Sequence, residues 1–166
     1  GGYLNAGVVW NGAIWVVVSD TVIAYSYDAI VWIKIGASSS IFTTRGFDVA
    51  YSSSLSRWVA VGEGTNSIAY SNDGITWVGL GTSLFSLSTN ALRYGNNLWV
   101  GSGNGSGNTL GYSTDGTQWV GLGKTIFTNK GYGIGYNDNF WVAVGSGVNT
   151  MAYSADGTQW NNVTNS

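Results

Sequence analysis

The run Trp58-Val59-Ala60-Val61-Gly62, followed by Tyr70-Ser71-Asn72-Asp73-Gly74-Ile75-Thr76-Trp77, decides the fold. The first run alternates large and small side chains yet is apolar throughout. An extended strand of that kind buries both faces, unlike the half-exposed strand of an open sheet. The second run carries Asp-Gly, a preferred two-residue hairpin turn in which both central residues need φ > 0.

Both runs recur along the chain. Trp15-Val16-Val17-Val18, Trp99-Val100-Gly101-Ser102-Gly103 and Trp141-Val142-Ala143-Val144-Gly145 match the first. Tyr25 to Trp32, Tyr112 to Trp119 and Tyr153 to Trp160 match the second. The closing tryptophans Trp32, Trp77, Trp119 and Trp160 are 45, 42 and 41 residues apart. A period of this size is the mark of a repeat architecture. Each copy opens with a segment such as Val49-Ala50-Tyr51, Leu92-Arg93-Tyr94 or Ile134-Gly135-Tyr136. A further shared piece, Ile41-Phe42-Thr43, Leu84-Phe85-Ser86 or Ile126-Phe127-Thr128, lies between copies.

Every copy therefore reads as four short antiparallel strands, with no helical periodicity anywhere. Small sheets with two buried faces stack on one another as propeller blades do. The expected fold is an all-β propeller of four four-stranded blades forming one domain over 1–166, with blades near 1–45, 46–88, 89–130 and 131–166. Asp28-Ala29 replaces Asp-Gly in the first copy, so that turn is expected to be strained or of another type. The first copy is also the most degenerate, as terminal repeats are. Four blades can close in one chain, pair into a larger ring with a second chain, or continue as a filament.

The Ser-x-Asp-Gly-x-x-Trp block resembles the Asp-box of sialidase-like propellers, one residue shorter than the usual Ser-x-Asp-x-Gly-x-x-Trp form. The resemblance spans all four copies and implies a structural role: the Asp caps the turn between the third and fourth strands, and the Trp packs into the blade. On that basis Asp28, Asp73, Asp115 and Asp156, with Trp32, Trp77, Trp119 and Trp160, belong to the scaffold. A sialidase-like active site would need three convergent Arg, a Tyr nucleophile and acidic partners. This chain has only Arg45, Arg57 and Arg93, in non-equivalent contexts, and one Glu, Glu63.

Residues common to all copies maintain the blade, so residues that break the repeat are candidates for function. Asp48 stands where other copies have Gly7, Ala91 and Gly133; Arg93 stands where they have Val9, Ala50 and Gly135. They are expected as an ion pair or as the lining of a central polar site. Glu63 and the recurrent Asn66, Asn108 and Asn149 lie in loops between the second and third strands. Such amides can meet sugar hydroxyls once per blade, or close the loop on its own backbone. Asn104-Gly105-Ser106 and Asn162-Val163-Thr164 match the glycosylation sequon.

Composition narrows the classes. The chain has no Cys, His or Pro, which removes disulfides, thiolate metal sites and the commonest general base. Only 8 % of residues are charged and the net charge is −2, against about 25 % charged in a typical domain. That gives no pull toward nucleic acid or anionic membranes. The Gly-rich runs near Gly62 and Gly103 lack a following helix and a Lys-Ser/Thr, so they are not phosphate loops. The sequence points to a non-enzymatic binding or adhesion module without cofactor. Its ligand is expected to be a carbohydrate or a protein, at an extracellular, virion or cell surface. A self-assembling fibre or surface-layer subunit is the alternative, and a glycan-processing enzyme is disfavoured.

Overall fold

A computed structural model describes residues 6–36 and 38–163. Among the described residues, sixteen short strands account for nearly all regular structure, with one helical turn, α1 (Ser38–Ile41), that the sequence reading did not foresee. Two compact units divide the chain, Gly1–Ser83 and Leu84–Ser166.

In the first unit, β1 (Ala6–Trp10), β2 (Trp15–Ser19), β3 (Val22–Ser26) and β4 (Ile33–Lys34) pair in sequence order as an antiparallel meander. After α1, the strands β5 (Arg45–Ser52), β6 (Arg57–Glu63), β7 (Ile68–Ser71) and β8 (Val78–Gly79) do the same. The second unit repeats the pattern twice. Its first meander is β9 (Ser88–Gly95), β10 (Leu98–Asn104), β11 (Leu110–Ser113) and β12 (Val120–Gly121); its second is β13 (Lys130–Tyr136), β14 (Trp141–Ser146), β15 (Met151–Ser154) and β16 (Asn161–Asn162).

Register is conserved among the meanders. Val9 pairs with Val16, Ala50 with Val59, Arg93 with Val100 and Gly135 with Val142. The outer edge of each ladder is set as strictly: Tyr25, Tyr70, Tyr112 and Tyr153 face Ile33, Val78, Val120 and Asn161. Aromatic residues oppose one another where the first two strands turn. Trp10–Trp15, Tyr51–Trp58, Tyr94–Trp99 and Tyr136–Trp141 have ring centroids 5.2, 4.7, 4.6 and 4.4 Å apart. Cross-strand aromatic pairs of this kind fix register as well as adding stability. Three ladders also shift at one equivalent place, skipping Phe47, Asn90 and Tyr132. Such bulges bend the first strand and increase its twist; the β1–β2 ladder has none.

Because directly paired residues share a face, each meander has two distinguishable sides. One side, the valine face, carries Val16, Val18, Ile23 and Tyr25 in the first meander. The other, the tryptophan face, carries Trp58, Ala60, Val49 and Ala69 in the second. The core of the first unit is the valine face of β1–β3 packed on the tryptophan face of β5–β7, with Ile14, Phe42 and Trp77 filling the rim. Leu98, Val100 and Leu110 pack in the same way on Trp141, Ala143, Ala152 and Ile134 in the second unit. The expectation that second strands bury both faces holds for β6 and β10, where every residue from Trp58 to Gly62 and from Leu98 to Gly103 is buried. It does not hold for β14, where exposed Val142 and Val144 alternate with buried Trp141 and Ala143.

Candidate functional site

The turns between third and fourth strands are built identically four times. In the second meander the Ser71 hydroxyl donates to Asp73 Oδ1 at 2.9 Å and accepts the Gly74 N–H at 2.8 Å. Asp73 Oδ1 also accepts the N–H groups of Ile75 and Thr76 at 2.8 and 2.7 Å. The Trp77 indole N–H closes the turn on Gly74 O at 3.1 Å. Ser26/Asp28, Ser113/Asp115 and Ser154/Asp156 repeat these bonds. The indole N–H groups of Trp32, Trp119 and Trp160 reach Ala29, Gly116 and Gly157 O.

The expected turn with φ > 0 at two central residues is not what forms. Only the residue after Asp is left-handed: Gly74, Gly116 and Gly157 at φ 77°, 78° and 79°. The Asp carboxylate caps a wider loop, so one left-handed residue suffices. Ala29 takes the same conformation at φ 64°, so the first turn is of the same type as the others and strained by its Cβ.

Each carboxylate is held in its charged form. For Asp156 the N–H groups of Gln159 and Thr158 lower the pKa to about 2. Partial burial is the largest single influence on Asp115 and raises it, but the donors Gln118, Thr117 and Ser113 together outweigh it and bring it to about 2. Burial likewise raises Asp73 while Thr76, Ile75 and Ser71 carry it downward, and the Val31 and Ile30 N–H groups lower Asp28. These are anions stabilised by backbone donors, the wrong state for a general acid near neutrality. Tyr70, Ser71, Asn72, Asp73, Thr76 and Val78 line a shallow cavity of about 270 Å³ beside one such turn.

The recurrent loop asparagines are similarly engaged. Asn66 Nδ2 donates to Ile41 O at 2.7 Å, and its Oδ1 accepts the Gly81 N–H at 2.8 Å. Asn108 bonds Leu84 O and the Gly123 N–H in the same manner, at 3.0 and 2.9 Å. Asn149 donates to Ile126 O at 2.8 Å. Asn66 and Asn108 each sit over a glycine, Gly79 or Gly121, whose missing Cβ makes room for the amide.

A role for the Ile-Phe-Thr piece emerges here that the sequence reading missed. Its carbonyl accepts the Asn amide. Its phenylalanine, Phe42, Phe85 or Phe127, is fully buried beneath Gly62, Gly103 or Gly145; a Cβ would collide with the ring at Gly62 and Gly145, and at Gly103 would meet the Ser88 carbonyl and press on the ring. Its hydroxyl, on Thr43, Ser86 or Thr128, accepts a loop N–H from Thr65, Ser106 or Val148 at 2.9, 2.9 and 3.1 Å. Peptide, ring and hydroxyl form a clasp that ties the loop to the segment before the first strand. The available signal was the matched spacing of Phe and Asn, 24, 23 and 22 residues apart.

Of the repeat-breaking residues, Asp48 belongs to the first unit and Arg93 to the second. Asp48 Oδ1 accepts the Val49 N–H at 2.9 Å, and its Cα lies close under Gly7, where only hydrogen fits. Arg93 is exposed on β9 opposite Val100. Glu63 ends β6 opposite Arg45, and its carbonyl accepts the Thr44 N–H at 3.2 Å. Arg45 approaches Asp20 at 3.7 Å in a pair open to solvent, worth at most about 1 kcal/mol. Asn104 is half-buried at the end of β10, its carbonyl accepting the Leu87 N–H, and Asn162 is exposed in β16. The sequon threonine Thr164 lies outside the described residues. Among the described residues, no group of three or more acidic side chains is placed to hold a metal ion.

No family model matches the chain, and no curated protein matches it. Solved structures do. The computationally designed Ika4 protein superposes with a TM-score of 0.65 at 10 % identity, over 93 % of this chain and 91 % of that one. A chain of a nidogen/laminin complex gives 0.68 at 10 % identity, over 93 % of this chain and 62 % of that one. YjhT gives 0.63 at 10 % identity, over 98 % and 65 %. At these identities the likeness concerns the fold alone, and it is an all-β, propeller-like fold.

Proposed function

We propose that the chain is a non-catalytic binding module made of four four-stranded propeller blades. Its Ser-x-Asp-Gly-x-x-Trp turns then play the structural part of the Asp-box in sialidase-like propellers. One observation carries the reading: the polar groups that recur from copy to copy are engaged in holding backbone. The four Asp carboxylates cap turns, and the Asn66 and Asn108 amides each hold two loop groups. A hydrolase of glycosides needs one carboxyl held neutral as an acid and a second group as nucleophile or base. These turns, with their lowered carboxylates, argue against that role.

With the amides engaged, a protein ligand is favoured over a sugar. The exposed apolar side chains Val8, Val142 and Tyr153 suit such a partner, at an extracellular or surface location. Two assays test this. A panel of aryl glycosides incubated with the chain should give no release of the aryl group; turnover would overturn the non-catalytic reading. A printed glycan array should give no signal, and specific binding lost in Asn66→Ala and Asn108→Ala would return those amides to a ligand role.

A further inference from the structure

The turn between β3 and β4 bonds its backbone as its three counterparts do and differs from them in its side chains. Ala29-Ile30-Val31-Trp32-Ile33 is five apolar residues in a row, bounded by Asp28 and Lys34. The same positions read Gly74-Ile75-Thr76-Trp77-Val78, Gly116-Thr117-Gln118-Trp119-Val120 and Gly157-Thr158-Gln159-Trp160-Asn161 in the later copies. Tyr27 likewise stands where they have Asn72, Thr114 and Ala155. Ile30 is 83 % exposed, Val31 64 % and Tyr27 63 %. All of these first-copy residues belong to the first unit. A run of exposed apolar residues on a turn is a liability unless it has a use.

Two features suit this turn to a lipid surface rather than to a protein groove. The first is that its backbone donors are already engaged. The N–H groups of Asp28 and Ala29 donate to Ser26 Oγ at 3.3 and 2.9 Å, and those of Ile30 and Val31 donate to Asp28 Oδ1, both at 2.8 Å. The Trp32 indole N–H donates to Ala29 O at 3.2 Å. Lipid offers no partners to replace such bonds, so a loop can approach hydrocarbon only if it satisfies its donors internally. The second feature is charge. Asp28 and Lys34 cancel, which matches a zwitterionic headgroup: exposed Lys34 can lay its stem along the apolar tip and hold its ammonium at the phosphate. The chain's net charge of −2 offers an anionic surface no attraction. Tyr27 and Trp32 add the side chains enriched where membrane meets water.

We propose that this turn is a lipid-contacting tip. Ile30 and Val31 enter the boundary between headgroups and acyl chains of a phosphatidylcholine surface, with Tyr27, Trp32 and Lys34 at headgroup level. The contact is shallow: it keeps the Asp28 carboxylate in the polar layer, and the tip lies on the membrane without spanning it. It adds to the non-catalytic reading and does not depend on it.

The test is flotation of the full chain with phosphatidylcholine vesicles, alongside the double variant Ile30→Thr/Val31→Gln. That variant installs the side chains that Thr117 and Gln118 already place on the same turn of the third copy, so the loop accepts them. Matching circular dichroism spectra and melting midpoints establish that it is folded. The parent should float with the vesicles equally at low and high salt. Partitioning should fall at least about ten-fold in the double variant. A parent that does not float overturns the proposal, as does flotation that survives the double substitution. Binding that appears only with anionic phosphatidylglycerol and is lost in salt overturns it too, by showing an electrostatic surface elsewhere. A parent that sediments as a dimer, returns to 17.5 kDa on the double substitution and ignores vesicles overturns it in favour of a second copy over the tip. Glycoside turnover would strike only the non-catalytic reading.

Discussion

Replacing Asn66 by Ala separates scaffold from ligand-binding chemistry within one side chain. The change removes the donor to Ile41 O and the acceptor of the Gly81 N–H, at 2.7 and 2.8 Å. Asn66 is 8 % exposed, so the two backbone groups lose their partners at a place water reaches poorly. Each orphaned group costs about 1–3 kcal/mol. Partial hydration of Gly81, at the edge of its loop, brings the sum to about 2–4 kcal/mol. For a chain of this length, that lowers the melting midpoint by roughly 5–15 °C. Differential scanning calorimetry measures it directly. Asn66→Asp sharpens the case: the Gly81 acceptor remains, but a carboxylate oxygen replaces the donor and faces Ile41 O. It should be no more stable than the alanine variant near neutral pH, and should recover ground as the pH falls toward about 4 and an O–H donor returns. A midpoint unchanged by Asn66→Ala would refute the clasp as a source of stability.

Three further outcomes are expected. Ala29→Gly relieves about 1–2 kcal/mol of left-handed strain against about 0.5–1 kcal/mol of added unfolded-state entropy, so the urea midpoint should rise slightly; a fall would sink the strain argument. Phe85→Ala empties a fully buried site under Gly103 and should cost about 3–5 kcal/mol by urea unfolding, with a near-zero effect counting against the clasp. Asp115 and Asp156 have folded pKa values near 2, below the ordinary 3.8, so the unfolded chain binds more protons between these limits. Their contribution is complete above about pH 4 and is lost as the pH falls toward 2; melting midpoints measured across that window should drop less steeply in Asp156→Asn.

The repeated antiparallel meanders were legible because their signals are local and repeated. Strand two announces two buried faces in its composition, and Asp-x-x-x-Trp marks each turn. The turn's backbone was less legible: Asp-Gly suggests two left-handed residues, but a carboxylate accepting two N–H groups stabilises a wider loop with one. The clasp was hidden for another reason. Ile41-Phe42-Thr43 and Asn66 are far apart in sequence, and nothing local says that an amide will meet a carbonyl some 25 residues earlier.

The clasp also fixes where one interchangeable cassette of this chain begins. Counting from the first strand would place the cut near Ser88, yet the carbonyl and ring that anchor the Asn108 loop lie upstream, in Leu84-Phe85. The chain divides between its compact units at Ser83/Leu84, immediately ahead of that clasp. Ile41, Leu84 and Ile126 recur at intervals of 43 and 42 residues, so the same phase applies to each of these copies. A cassette spliced in this phase carries its own plug and its own tether. One spliced at the strand boundary delivers a loop whose asparagine depends on whatever sequence happens to precede it.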